Sequence, residues 1–266
     1  MAAVRPPAQE APVVVALGAS NLSRGMPRLI SAVRSRVAGP TMLTAAGHGR
    51  SYGANSRVAW RRLPSILRSG LWRAVDRLGP SLGDRLLVAL VTDIGNDLLY
   101  GFSVDQTAGW VRECLSRLVD RSGHVTVTAL PLASVARAGP VRYRLLRTIY
   151  VPGCRLPLAD LQQAAGDLDA AVRELAAEFG AEVIEQPGDW YGIDSIHVRR
   201  RRLNPLWERV CMAWNLPEPK APAGTSIADW MRVGRQPAEV RSLVNRMLFT
   251  PQPVVQWPDG TTLSLY

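Results

Sequence analysis

Short apolar runs rich in β-branched residues alternate along this chain with longer segments whose apolar residues recur at helical spacing. Five of the short runs predict strands, at residues 13–17, 41–46, 85–92, 124–130 and 181–185. Strands that alternate with helices form βαβ units, which build a parallel sheet covered by helices on both faces. We therefore predict an α/β fold with three layers, α/β/α, around a central, mostly parallel, five-stranded sheet. In the first segment between strands, Pro27 predicts the first turn of a helix.

The chain has 266 residues, 47% of them hydrophobic, which is enough to bury one sizeable core. We predict an N-terminal tail at residues 1–12, one α/β domain at 13–214 and a C-terminal extension at 215–266. The extension begins with a proline-rich linker and continues with a helix predicted at 227–247. Its last residues, "VVQWPDGTTLSLY", predict a hairpin that turns at "PDG".

The formal net charge is +10, and almost all of the positive charge comes from arginine. A strongly basic chain can attract nucleic acid, anionic lipid or an acidic substrate. The one dense run of arginines, at residues 199–202, has no interleaved aromatic residues that would stack on bases. We therefore do not expect nucleic acid as a partner. A narrower hypothesis is that this run of arginines attracts an anionic substrate. The simpler alternative is that it forms the solvated face of a helix.

No apolar run approaches the roughly 20 residues that a membrane-spanning helix needs. The first residues, "MAAVRPPAQEAP", carry prolines and a glutamate where a secretory signal has its apolar segment, so we expect a cytoplasmic protein. Cys114, Cys154 and Cys211 are far apart and form no C-x-x-C pair. They predict reduced thiols in the core rather than disulfides or a zinc site.

The first predicted strand ends at Gly18 and is followed two residues later by Ser20. Functional groups of a parallel α/β sheet lie at the carboxyl ends of its strands, although a serine there, taken alone, is more often a helix cap or a turn residue. A phosphate-binding P-loop needs a lysine after its second glycine, but Met26 follows Gly25. A nucleophile elbow needs a glycine two residues after the serine, where this chain has Leu22.

Three further blocks follow predicted strands. They are "AAGHGRSYG" after the second strand, "TDIGNDLLYG" after the third and "WYGIDSIHVRR" near the end of the sheet. Together with the turn after the first strand, they supply in order a serine, a loop glycine, an asparagine and an Asp-x-x-His pair. In this order and strand context the chain resembles the SGNH hydrolases, also called the GDSL esterase/lipase family, whose fold is flavodoxin-like. The resemblance covers about residues 13–214.

The resemblance implies that Ser20 is the nucleophile, Asp194 the acid and His197 the base of a catalytic triad. The implied activity is hydrolysis of a small-molecule ester through an acyl-serine intermediate, with no cofactor and no metal. Two positions depart from the family pattern. Ala19 stands where the family has an aspartate before the serine, and Ile94 stands where the asparagine block begins with glycine.

The resemblance also implies an oxyanion hole made of the main-chain N–H of Ser20, the main-chain N–H of Gly49 and the side-chain amide of Asn96. Gly47 is the alternative to Gly49. We expect Asp97 to be structural and to support the loop that holds Asn96.

The chemistry of the side chains fits the triad. A serine hydroxyl is a weak nucleophile near neutral pH, so it needs an imidazole to accept its proton and a carboxylate to orient that imidazole. Asp194 and His197 are three residues apart, a separation of about 10 Å in a straight chain, so we expect a tight turn between them. We expect Asp93 to be a loop or supporting residue, and His48 to be a solvated loop residue outside the triad.

Two other functions stay open. Gly47, Gly49 and Gly53 follow a strand and are close to a glycine-rich dinucleotide-binding loop, although they follow the second strand and leave the other blocks unexplained. The second alternative is a catalytically silent interaction module that keeps the hydrolase scaffold, against which the full set of site residues argues. The natural substrate, its acyl-chain length and the oligomeric state are left open.

Overall fold

The computed structural model describes residues 11–58, 60–79, 85–151, 153–192, 194–221, 224–244 and 246–266. Most of the predicted N-terminal tail, residues 1–10, lies outside the described residues. The strands in the described part are β1 (Val13–Leu17), β2 (Thr41–Ala45), β3 (Ser56–Val58), β4 (Arg61–Leu63), β5 (Leu87–Val91), β6 (His124–Thr128), β7 (Glu182–Ile184), β8 (Val240–Leu243), β9 (Arg246–Phe249), β10 (Val255–Gln256) and β11 (Thr262–Leu265). The helices there are α1 (Ser20–Arg34), α2 (Leu71–Leu78), α3 (Asn96–Leu99), α4 (Val104–Val119), α5 (Leu132–Ala136), α6 (Pro140–Tyr150), α7 (Leu158–Glu178), α8 (Leu203–Ala213) and α9 (Ile227–Gly234).

A central sheet of seven strands has the order β10-β11-β2-β1-β5-β6-β7. Neighbouring strands are parallel except β10 and β11, which pair antiparallel. The predicted α/β fold is confirmed, and all five predicted strands are present as β1, β2, β5, β6 and β7. The predicted count of five strands is wrong, because the sheet has seven.

The two additional strands are the hairpin predicted around "PDG". In this hairpin β11 pairs in parallel with β2, so that Leu263 lies beside Met42. The pairing satisfies N–H and C=O groups that β2 would otherwise present at an open edge. The division between residues 13–214 and 215–266 stays a prediction about domains, although the hairpin completes the sheet of the first part.

The central strands β1 and β5 are buried along their whole length, with the sequences VVVAL and LVALV. Such purely apolar strands are typical of parallel sheets that are covered on both faces. Val13, Val15 and Leu17 belong to one core, which includes residues of α2, α4 and α7. Val14 and Ala16 belong to the other core, with residues of α1 and α8. The two cores on opposite faces of the sheet give the predicted three layers.

Four short strands form a second, antiparallel sheet in the order β3-β4-β8-β9. The prediction of a helix over residues 227–247 is wrong beyond Gly234, where α9 ends. Pro237 has no main-chain N–H with which to continue the helix, and the residues after it form β8 and β9. Strand β8 pairs with the edge of β4, a partner from a distant part of the chain that local periodicity does not show.

Helix α1 begins directly at Ser20, two residues after Gly18. The prediction that Pro27 lies in its first turn is wrong, since Pro27 lies inside the helix. Gly25 lets α1 pack closely against α8, because a Cβ atom at Gly25 would lie 2.5 Å from the ring of Trp207. The glycine therefore sets the distance between the two helices of this layer.

The loops after β2 and β5 are joined by two hydrogen bonds of Tyr52. Its main-chain N–H donates to the Asp97 carboxylate over 3.0 Å, and its hydroxyl donates to the main-chain oxygen of Thr92 over 2.6 Å. Burial raises the pKa of Asp97 to about 6, although hydrogen bonds from Ser51 and Tyr52 act to lower it. These contacts fit the structural role expected for Asp97.

Gly25→Ala should lower the free energy of unfolding by about 1–3 kcal/mol, because the added methyl group must push α1 away from Trp207. At an open helical position the same substitution raises stability by up to about 1 kcal/mol. Gly166→Ala in α7 is the matched control, since nothing lies within 4 Å of a Cβ atom there. Urea unfolding of both variants measures the effects, and equal effects at the two positions would contradict the close packing.

Asp97→Asn should remove a pH dependence of stability. Since the pKa of Asp97 is raised from 3.8 to about 6 in the folded protein, the folded state binds more protons than the unfolded chain between these values. The free energy of unfolding of the native protein therefore falls as pH rises through this window, by up to about 3 kcal/mol from this group. Asparagine keeps an acceptor for Tyr52 without titrating. Urea unfolding from pH 4 to pH 7 should show the variant gaining stability relative to the native protein, whereas parallel curves would refute the prediction.

Candidate active site

The turn between β1 and α1 holds Ser20 at the carboxyl end of a central strand. Gly18 passes close to the neighbouring strand's loop, because a Cβ atom there would lie 2.7 Å from the Thr92 side chain and 3.1 Å from Leu22. Only glycine fits without displacing one of them. As the first residue of α1, Ser20 also has a main-chain N–H that lacks a partner within the helix.

Asp93, in the loop after β5, fixes this turn. Its carboxylate accepts hydrogen bonds from the main-chain N–H groups of Ala19, over 2.9 Å, and Leu22, over 3.1 Å. A carboxylate at a helix N-terminus stabilises both the free N–H groups and the helix dipole. The φ angle of Asp93 is +61°, a conformation that aspartate adopts more readily than most residues. Asp93 is therefore a supporting loop residue, as expected, and in addition it caps the helix that carries the serine.

Ser20, His197 and Asp194 form one chain of hydrogen bonds. The distance from His197 Nε2 to Ser20 Oγ is 3.0 Å, and that from His197 Nδ1 to Asp194 Oδ2 is 2.7 Å. The expected tight turn between Asp194 and His197 is present. The other carboxylate oxygen of Asp194 accepts from the main-chain N–H of His197 over 2.9 Å, and Ser195 within the turn has a φ angle of +58°.

The surroundings of Asp194 keep its carboxylate ionised. Burial acts to raise the pKa of Asp194, but hydrogen bonds from the side chain and main chain of His197, together with the positive charges of His197 and Arg24, hold it below its usual value. An ionised carboxylate beside Nδ1 favours the imidazole tautomer whose proton lies on Nδ1. That tautomer leaves Nε2 as an acceptor toward the Ser20 hydroxyl.

Asn21 links the serine turn to the histidine loop, a role that the sequence interpretation missed. Its side-chain nitrogen donates to Asp93 Oδ1 over 2.8 Å and to the main-chain oxygen of Ile196 over 2.9 Å. Its side-chain oxygen accepts from the main-chain N–H of Val198 over 2.9 Å. Asn21 thus holds the chain on both sides of His197. The available signal was a buried amide directly after the serine, at a position where a helix would bury an apolar residue.

The residues predicted for the oxyanion hole follow three adjacent strands. Ser20 follows β1, Gly49 follows β2 and Asn96 is the first residue of α3, after β5. Because the carboxyl ends of parallel neighbours meet at one edge of the sheet, the three residues share that edge. Gly49 has a φ angle of +65°, and its carbonyl accepts from the Tyr100 hydroxyl over 2.8 Å. The assignment of Gly49 rather than Gly47 as a donor stays a prediction.

A small cavity of about 70 Å³ lies beside Asn96. Its walls are mainly apolar and include Leu130, Val135, Leu161 and Ile196. The arrangement offers room for a short apolar group next to the predicted oxyanion donor.

The glycine-rich loop of residues 47–53 leads into the short strands β3 and β4 and not into a helix. A dinucleotide-binding loop places its phosphates at the N-terminus of the following helix. Gly53 instead packs against Trp110, whose ring a Cβ atom would meet at 1.9 Å. The loop therefore does not favour the dinucleotide alternative.

Among the described residues, no group of three His, Cys, Asp or Glu side chains is placed to hold a metal ion. In the same part of the chain, no helix combines the length and apolar character that crossing a membrane requires.

No protein-family model and no curated protein sequence matches this chain. Its fold does match solved structures. An inhibitor-bound aryl esterase from M. smegmatis is 12% identical, the match covers 77% of this chain and 100% of the other, and the TM-score is 0.53. A putative arylesterase from Agrobacterium tumefaciens is 13% identical over 76% of this chain and 97% of the other, with a TM-score of 0.50. A member of the lipolytic protein G-D-S-L family from Veillonella parvula is 11% identical over 76% and 97% of the two chains, with a TM-score of 0.47.

At sequence identities of 12% and 13%, the similarity to the two esterases shows a shared fold and does not show a shared reaction. The resemblance drawn from the four sequence blocks is therefore confirmed at the level of architecture: this chain has the fold of the SGNH hydrolases.

Proposed function

We propose that the protein is a serine hydrolase that cleaves ester bonds through an acyl-serine intermediate. The observation that carries the proposal is the continuous chain of hydrogen bonds from Asp194 through His197 to Ser20. Ser20 meets the neighbouring Asp194 and His197, which lie more than 170 residues further along the chain, in the geometry that a nucleophilic serine requires. The names of the solved structures of similar fold, an aryl esterase and a putative arylesterase, agree with this reaction type.

In the first step, Ser20 Oγ attacks the ester carbonyl carbon while His197 Nε2 accepts the hydroxyl proton. Asp194 stabilises the imidazolium that forms. The carbonyl oxygen becomes an oxyanion, for which the N–H groups of Ser20 and Gly49 and the amide of Asn96 are the proposed donors, each worth about 3 kcal/mol in comparable sites. The imidazolium then protonates the leaving alcohol oxygen, and the acyl group stays on Ser20.

In the second step, a water molecule attacks the acyl carbonyl carbon and gives its proton to His197 Nε2. The bond to Ser20 Oγ breaks, the proton returns from His197 to Oγ, and the carboxylic acid leaves. Each of these transfers uses groups already present in the chain, so the cycle closes without a cofactor.

The hydrogen bonds of Asn21 and Asp93 explain how Ser20 and His197 are held close to each other. The serine lies at the start of a helix, whereas the histidine lies in a loop between elements. Asn21 connects the two, and Asp93 holds both Asn21 and the helix start. We assign Asn21 and Asp93 as positioning residues, since neither touches the reacting atoms in this scheme.

Ser20→Ala should abolish labelling by a fluorophosphonate probe and lower the hydrolysis of p-nitrophenyl acetate by at least about 10³-fold, because no other hydroxyl can form the acyl intermediate. Ser35→Ala, at the far end of α1, is the control and should keep full activity. Labelling that survives in the Ser20 variant would exclude this nucleophile. A native protein that neither reacts with the probe nor hydrolyses the ester would favour the silent-module alternative.

Asn21→Ala should lower kcat for p-nitrophenyl acetate by about 10- to 100-fold while changing KM little, because the histidine loop loses its link to the serine turn and small displacements of reacting groups are costly. Asn204→Ala, an exposed position in α8, serves as the control. Steady-state kinetics give both constants, and circular dichroism reports whether the variant is folded. A folded Asn21 variant with native kcat would remove the positioning role.

A further inference from the structure

A cavity of about 740 Å³ lies beside the triad, and the proposed reaction does not account for it. It lies between α1, the loop after β2, the second sheet and α9. Residues 240–243, 246 and 247, which were expected to be helical, belong to β8 and β9 of that second sheet. The volume falls in the range of sites that hold small organic ligands.

Among the residues that the structure describes, five arginines line this cavity and no aspartate or glutamate does. They come from five separate segments of the chain. They are Arg24, Arg61, Arg200, Arg235 and Arg241. Of the 199–202 run singled out in the sequence, only Arg200 lines the cavity.

The same five arginines form no ion pair with a carboxylate within the described residues, whereas eight arginines elsewhere in that part of the chain do. The paired ones are Arg34, Arg36, Arg73, Arg112, Arg117, Arg121, Arg173 and Arg202. The chain has 32 basic residues against 22 acidic ones, and this cavity gathers five of the arginines that have no carboxylate partner among the described residues. Positive charges gathered in a cleft attract and hold anions.

The positive charges of the cavity arginines lower the pKa values of neighbouring groups in the cavity wall. Burial and the charge of Arg241 lower the pKa of Arg61. Burial, and then the charges of Arg61, His197 and Arg24, lower the pKa of His48, against a smaller opposing effect of Asp93. A bound anion would relieve this repulsion further than Asp93 does.

The cavity is close to the proposed chemistry. Arg24 lies one turn after Ser20 on α1 and acts electrostatically on Asp194. His48 lines the cavity and interacts electrostatically with His197. A ligand group held among the arginines would therefore lie beside the serine, on the side of the glycine loop and away from the small apolar cavity near Asn96.

The wall formed by α9 adds an apolar surface. Trp230 and Met231 line the cavity, although 51% of Trp230 and 41% of Met231 are exposed. The Arg200 guanidinium lies 5.9 Å from the centre of the Trp230 ring. Exposed aromatic and thioether groups beside arginines suit a ligand that has an apolar body and an anionic group.

We propose that this cavity binds a phosphate group on the ester substrate, and so selects phosphorylated esters. The inference rests on the proposed ester hydrolysis at Ser20. Phosphate is the anion chosen because it carries up to two negative charges and offers several oxygens to planar guanidinium groups, which bind it in bidentate fashion. The five arginines of the cavity carry more positive charge than the single negative charge of a carboxylate group would balance.

The test compares three acetate esters of para-substituted phenols: 4-acetoxyphenyl phosphate, 4-acetoxybenzoate and the neutral 4-acetoxybenzamide. Formation of the free phenol, followed by liquid chromatography, gives kcat/KM for each. We expect the phosphate ester to be preferred over the neutral ester by about tenfold or more, and the preference to shrink as salt is raised from about 0.05 M to 0.5 M. Equal kcat/KM values for the phosphate and neutral esters would overturn the proposal, and an equal preference for the benzoate would overturn the choice of phosphate.

The variant for this test is Arg61→Gln combined with Arg235→Gln, since neither side chain makes a hydrogen bond or ion pair with another described residue that would be lost on substitution. The charge-matched control is Arg62→Gln combined with Arg246→Gln, two exposed arginines of the second sheet that do not line the cavity. The first variant should lose the preference for the phosphate ester while keeping the hydrolysis of the neutral ester, and the control should keep both. Loss of the preference in both variants would show that net charge and not the cavity is responsible, and would overturn the proposal.

Direct binding separates this proposal from the proposed function. Calorimetric titration with phenyl phosphate should show binding to the native protein and to Ser20→Ala, and much weaker binding to the Arg61 and Arg235 double variant. If no ester is hydrolysed but phenyl phosphate binds in this pattern, the proposed hydrolysis fails and the anion site stands. If esters are hydrolysed but phenyl phosphate does not bind, the anion site fails alone.

Discussion

The geometry of the site depends on the carboxylate of Asp93. This one side chain accepts hydrogen bonds from the start of α1 and from Asn21. Asn21 in turn forms hydrogen bonds with the main chain on both sides of His197. All five of these bonds join residues that are more than 70 positions apart in sequence. A serine on a helix and a histidine in a loop can keep a 3.0 Å contact only when such links restrict both. The position of Ala19, where the resemblance would place an aspartate, fits this arrangement because Asp93 reaches the same turn from the neighbouring strand.

The distribution of charge is the second organising feature. Several arginines far from the site contact carboxylates, as where Arg173 contacts both Asp169 and Glu185. Among the described residues, the five arginines that line the large cavity form no such ion pair. Three of them, Arg24, Arg61 and Arg241, are partly buried, and a partly buried cation without a partner costs stability because attraction does not offset the loss of solvation. Such an arrangement beside the proposed nucleophile is the pattern expected where a negatively charged ligand supplies the missing partner.

The parts of the structure that follow from local pattern were predictable. Strands β1 and β5 are apolar throughout because they lie in the middle of a covered parallel sheet, so their sequences show them directly. The three-residue spacing of Asp194 and His197 predicted the turn between them. Long-range pairing was not predictable: β11 joins β2, and β8 joins β4, through bonds whose partners carry no mutual signal in a single sequence. The role of Asn21 was missed for the same reason, and Asp93 was expected only as a loop or supporting residue, because the contacts of both residues reach distant parts of the chain.

The two long-range strand pairings have a consequence for how the molecule is assembled. Both link residues near 41–63 to residues near 240–265, so they close loops of about 200 residues. Contacts of such high sequence separation form late and slow the folding of a domain, because the loop-closure entropy must be overcome first. During synthesis on the ribosome, the serine turn and its sheet neighbours can form early, while the wall of the arginine cavity waits for the last segment of the chain. Binding of a ligand in that cavity would thus depend on the slow pairings of β8 and β11, on which the serine turn itself does not depend.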